Sequence, residues 1–179
     1  TGRKELLMNL RRSLRAGRKV AITQPVAVHG LGGVGKTQLA AHYAYTHAKE
    51  YTDGVLWVVA DSPENAAANF SALVRPLGLP EAGVREQPAQ VEAVQRWLRE
   101  HNGWLLVFDS VDSEKAEEAI LALLPPALKG HVLITSRRTE WPPSVAELPV
   151  DVLPLEAAAK FLLERTKAAR ASMGPEVDR

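Results

Sequence analysis

Residues 26–37, VAVHGLGGVGKT, carry a short apolar strand straight into G-x-x-x-x-G-K-T, and few other patterns restrict fold and chemistry so tightly. Glycines lacking a Cβ let successive main-chain N–H groups turn onto a single anion, and the charged phosphates of a nucleotide are what such a loop fits. The spacing assigns Gly30, Leu31, Gly32, Gly33, Val34 and Gly35 to the cradle, with Gln38 just behind it. Lys36 then reaches the β/γ oxygens, and the Thr37 hydroxyl becomes a magnesium ligand. Residues 37–50 read as the following helix, whose positive dipole end points at the same anion. An ordinary glycine-rich turn has no need of the Lys and Thr that close the pattern.

The strand-then-helix order recurs. Gly54–Ala60 (GVLWVVA), Trp104–Asp109 (WLLVFD) and His131–Thr135 (HVLIT) are continuous apolar runs of strand length, the pattern of strands covered on both faces. Val150–Leu153 reads as a shorter fourth, and Val20–Thr23 as a small strand before Pro25. Between them lie helical stretches: 62–77, opened by the cap Ser62 and by Pro63; Pro88–His101, stopped at Asn102-Gly103; Glu114–Leu124, stopped by Pro125-Pro126; and Glu156–Ala171. Alternation of this kind predicts a parallel sheet between layers of helices.

Composition narrows the function. At 179 residues with 46% apolar content the chain suffices for one domain with a real core. It has no cysteine, hence no disulfide and no thiolate ligand or nucleophile. No apolar run reaches membrane-spanning length and no secretory leader opens the chain, so the expectation is a cytoplasmic location and no membrane partner. A start at Thr1 and a polar end at 172–179 suggest a piece of a longer protein. Net charge is only +1, which argues against nucleic acid as a partner, although residues 1–19 concentrate seven basic side chains against one acid, Glu5. Leu6, Leu7, Leu10 and Leu14 recur there at helical spacing, so the basic residues read first as the solvated face of a helix. His29, His42, His47, His101 and His131 lack metal-ligand spacing, and the four tryptophans sit in or beside apolar runs as core residues.

Two strands end in charge. Asp109 closes WLLVFD at the carboxyl end of a parallel strand, where ligands bind in open sheets, and is the expected second magnesium-coordinating acid. Arg137 follows HVLITS at the same edge and can sense a γ-phosphate, while Arg138 should point elsewhere.

Together, GLGGVGKTQLA (Gly30–Ala40), GVLWVVAD (Gly54–Asp61), LLVFDSVD (Leu105–Asp112), VLITSRR (Val132–Arg138) and PLEAAAKFLLER (Pro154–Arg165) resemble the NB-ARC domain, the nucleotide-binding module of STAND-class ATPases. The variants GVLWVVAD and FDSVD look most like bacterial members that carry tetratricopeptide repeats. The resemblance implies an α/β P-loop NTPase fold: a three-layer sandwich whose five-stranded, mostly parallel sheet is ordered 54–60, 104–109, 131–135, 26–29, 149–153. It implies a domain over 1–171, comprising a basic lead-in (1–24), a core (25–153) and the start of a helical subdomain (154–171). It also implies ATP/ADP and Mg2+ as ligands and Arg3 on the adenine side. The effector and sensor domains of the parent chain would be partners, with self-association in the ATP state. Many members place a second acid, the candidate base for the attacking water, directly after the strand Asp. Here that residue is Ser110, and the nearest acid is Asp112, so hydrolysis is expected to be slow or absent. The family's winged-helix subdomain, which closes over ADP, lies beyond this chain, and its absence implies weaker binding by the piece alone. The competing readings are an efficient ATPase or phosphotransferase, and a nucleic-acid-binding regulator using the basic helix.

Overall fold

The computed structural model describes residues 4–16, 26–29 and 35–150. In chain order these form α1 (Lys4–Ala16), β1 (Val26–His29), α2 (Lys36–His47), β2 (Gly54–Val59), α3 (Pro63–Ala72), α4 (Gln87–Glu100), β3 (Trp104–Asp109), α5 (Glu114–Leu123), β4 (His131–Ser136) and β5 (Ala146–Pro149). The strands make one sheet in the order β2-β3-β4-β1-β5, with every pairing parallel. The expected α/β sandwich and its strand order are therefore present.

Period-two alternation divides the sheet's side chains between two cores. Leu106 and Phe108 of β3, with Val132 and Ile134 of β4, face α3, α4 and α5, where Phe108 stacks on Phe70 at 6.4 Å. Leu105, Val107 and Leu133 face the other way, onto Leu10 and Leu14 of α1 and Leu39 and Tyr43 of α2. Both central strands are buried throughout, as their unbroken apolar runs require. Trp104 and Trp141 are buried, and Trp57 and Trp97 half-buried.

Local signals fix the helix starts. Ser62 and Ser113 each accept the main-chain N–H three residues on (Asn65 and Ala116), and Glu114 and Glu117 place negative charge in the first turn of α5. Gly130 has no room for a side chain, because a Cβ there would lie 2.2 Å from the Trp104 ring.

Three expectations need correction. The helix from Pro63 stops at Ala72 instead of near Leu77. Leu73 to Gly78 continue as hydrogen-bonded turns, ending at Gly78 with φ +65°, a left-handed conformation that glycine adopts without cost. The strand beside β1 is Ala146–Pro149, not Val150–Leu153, though Val150 N–H still reaches His29 O at 2.8 Å. An edge strand needs only alternate burial, and here Leu148 is buried while Glu147 and Pro149 are not, so no apolar run marks it. For the same reason β2, at the other edge, buries Leu56 and Val58 but leaves Val59 exposed. The expected strand at 20–23 and the helix at 156–171 lie outside the described residues, as do 151–153.

Candidate functional site

The carboxyl ends of β3 and β4, together with the first turn of α2, enclose a cleft of about 230 Å3. Gly35 enters α2 with φ +82°, a conformation that a side chain would strain. The next two residues, Lys36 and Thr37, both line the cleft. Gln38 lines it too, whereas Gly30, Leu31, Gly32, Gly33, Val34 and Arg3 lie outside the described residues.

Asp109, the last residue of β3, is 8% exposed. Thr37 Oγ1 donates to its Oδ1 at 2.9 Å, and Thr135 Oγ1 donates to the same oxygen. Oδ2 takes no part in these bonds. Magnesium selects hard oxygen ligands, so a hydroxyl and a carboxylate held side by side at the phosphate end of the sheet fit it. Thr37 and Asp109 would hold the ion, which when bound to a nucleotide supplies positive charge against the phosphates.

Thr135 is the site residue that reasoning from charged strand ends overlooks. Besides donating to Asp109 it accepts the Ser110 N–H at 3.0 Å, and its carbonyl accepts Val111 N–H at 2.9 Å. Ser136 Oγ bonds Val111 O. The signal was present in the sequence, because Thr-Ser closing an apolar run puts two hydroxyls in a buried strand, where they need partners. These bonds hold the turn after β3, in which Ser110 adopts φ +68°, uncommon for a residue with a side chain. Ser110 lines the cleft where a second acid would otherwise stand.

Arg137 and Asp112 also line the cleft, and they meet each other. Asp112 Oδ1 accepts the Arg137 main-chain N–H and Oδ2 accepts its Nε, both at 2.7 Å, with the arginine side chain 65% exposed. Lys36, by contrast, is 9% exposed. Its burial holds the ammonium below the usual lysine range. The Asp112 charge works against that shift and the Arg137 charge adds to it. Arg138 turns away, as expected, to Glu117 at 3.0 Å.

The histidines are scattered. His29 pairs with Glu147 at 3.2 Å, His47 with Glu50 at 2.9 Å, His131 Nδ1 lies 2.9 Å from the Tyr51 hydroxyl, His101 stacks on Trp97, and His42 is exposed. On α1, Arg11 and Arg15 both hold Glu50 at 2.7 Å, so part of the basic face is occupied within the molecule.

A parallel sheet with a Gly-Lys-Thr helix start at its carboxyl edge, and an acid and an arginine at the ends of neighbouring strands, defines a P-loop α/β nucleotide-binding domain. The chain belongs to the NB-ARC domain family, whose profile matches residues 6–169. A curated relative, the nucleotide-binding leucine-rich repeat (NLR)-like protein of Hyaloscypha variabilis, is 29% identical over 153 residues, 76% of this chain. The chain spans about 15% of that relative's length. Among solved structures, the Orc1 protein of Aeropyrum pernix, determined in complex with DNA, superposes with a TM-score of 0.65 at 18% identity. Cdc6p of Pyrobaculum aerophilum gives 0.64 at 17%. Each superposition covers 93% of this chain and 49% of the other, and at these identities the likeness is one of fold.

Proposed function

We propose that this domain is the ATP/ADP switch of a larger STAND-type signalling protein. In this reading Mg2+ accompanies the nucleotide, ADP holds an inactive form, and ATP permits self-association that activates an effector domain elsewhere in the parent chain. The location is the cytoplasm, and the parent is of the bacterial, tetratricopeptide-repeat type that the sequence resembles. The observation that carries the proposal is Arg137, which directly follows β4, the strand next to that of Asp109, and lines the same cleft as Lys36. A cation there meets a γ-phosphate and has nothing to meet in ADP, which is the differential contact a ligand-driven switch requires.

Ser110 supports a switch over a fast ATPase. A hydroxyl has no basicity to take a proton from water at neutral pH, and Ser110 stands in the cleft where a base would be needed. The basic-helix alternative loses ground because Arg11 and Arg15 are engaged by Glu50. In this reading Arg3 serves the adenine side of the nucleotide.

Lys36→Ala tests the nucleotide reading. Isothermal calorimetry with ADP and with a non-hydrolysable ATP analogue should show a loss of about ten- to a hundredfold in affinity for both, since a charged contact to phosphate contributes about 1.5–3 kcal/mol. Circular dichroism should stay unchanged. Full affinity in the variant would refute the site.

A further inference from the structure

The clearest unassigned feature of the cleft is the pairing of Asp112 with Arg137. Asp112 is the acid nearest to Asp109 and so the natural candidate for a catalytic base, yet both of its oxygens accept hydrogen bonds from one residue, at 2.7 Å each. The two bonds are of different kinds. One fixes the arginine's main chain at the end of β4, and the other fixes the inner nitrogen of its guanidinium. The terminal amino groups take no part in the pair, and two N–H donors on one planar edge are what binds a phosphate oxyanion in bidentate fashion.

We propose that Asp112 is the positioning residue of Arg137, holding the guanidinium over the phosphate cleft by its main-chain N–H and Nε so that the terminal edge is presented to a γ-phosphate. The inference rests on the reading of Arg137 as the γ-phosphate sensor. An arginine side chain 65% exposed loses much rotamer freedom when it is ordered. Asp112 removes that freedom before the nucleotide arrives, so less of the phosphate contact is spent on ordering. The same carboxylate lines the cleft together with two cations, Lys36 and Arg137. It therefore lowers the repulsion that would otherwise drive the arginine from the cleft.

Positioning and plain charge predict opposite signs. As a bare negative charge near the phosphates, Asp112 would repel ATP more than ADP, and its removal would raise the ratio of ATP-analogue to ADP affinity. As a positioning residue, it lowers that ratio when removed. The experiment is a double-mutant cycle on the chain, measuring both ligands by calorimetry in magnesium for wild type, Asp112→Ala, Arg137→Ala and the double variant. Asp112→Ala should reduce the ratio about three- to tenfold. Asp112→Asn, whose side-chain oxygen can still accept the main-chain N–H but whose amide cannot accept from Nε, should fall between it and wild type with an unchanged melting temperature. In the Arg137→Ala background, removal of Asp112 should leave the ratio where it is. A ratio that rises, stays fixed, or falls equally in both backgrounds overturns the proposal while leaving the sensor intact. If Arg137→Ala itself does not lower the ratio, the sensor reading fails and this inference falls with it.

Discussion

At its amino-terminal end the sheet's buried polar groups bond chiefly to one another. The Tyr43 hydroxyl lies 3.1 Å from that of Tyr51, which in turn lies 2.9 Å from His131 Nδ1, and beside them Glu50 gathers Arg11, Arg15 and His47. At its carboxyl-terminal end the polar groups converge instead. Two threonine hydroxyls land on one oxygen of Asp109, and Lys36, Arg137 and Asp112 surround a cleft. Burial demands partners at both ends. At one end the partners are each other, and the result is adhesion of α1 and α2 to the sheet. At the other, carboxylate and cations are gathered around a space, and the strained turn at Ser110 is held in place by bonds to β4. Strain and convergent charge of this kind mark a site built for a ligand.

The contrast breaks most readily at Asp109. Asp109→Asn keeps an oxygen for the two hydroxyls but removes the charge that a metal needs. Magnesium-dependent binding of an ATP analogue should fall at least about tenfold, while magnesium-free ADP binding changes little. Equal losses measured for the two ligands would make Asp109 a structural residue, like its counterparts at the other end.

Glu50 sharpens the comparison from the adhesive side, with a smaller effect. Burial alone would raise its pKa, but hydrogen bonds from His47 and Arg15 and the charge of Arg11 outweigh it and bring the value down to about 2. A depressed folded value means that the contribution is complete above the ordinary 4.5 and is lost as pH falls toward about 2. Glu50 is a third exposed, so solvent screening limits the effect to at most about 1 kcal/mol. Urea titrations at pH 6 and pH 3 should show a smaller acid loss of stability in Glu50→Gln than in wild type, with nucleotide affinity at pH 7 unaltered. An affinity change there would mean that the two ends are coupled.

Much of this was legible in the sequence, because the strongest signals are local. A continuous apolar run fixes β3 and β4, a charge at the end of each run fixes Asp109 and Arg137, and Gly-Lys-Thr fixes the start of α2. What escaped was set by position in the sheet. β5 is an edge strand with one buried face, so its pattern, Ala-Glu-Leu-Pro, looks like loop. Thr135 bonds Asp109 from 26 residues away, and Asp112 bonds Arg137 from 25, contacts that exist only once β3 and β4 lie side by side. Periodicity carries no information about such pairs.

The central claim is that the carboxyl end of the sheet tells ATP from ADP, and Arg137→Ala tests it most directly. Wild type and variant would be titrated with ADP and with a non-hydrolysable ATP analogue in magnesium. The account predicts that ADP affinity holds while affinity for the analogue falls about ten- to a hundredfold, the equivalent of a charged hydrogen bond worth about 1.5–3 kcal/mol. If both affinities fall together, or neither does, Arg137 does not read the γ-phosphate and the switch must be sought elsewhere.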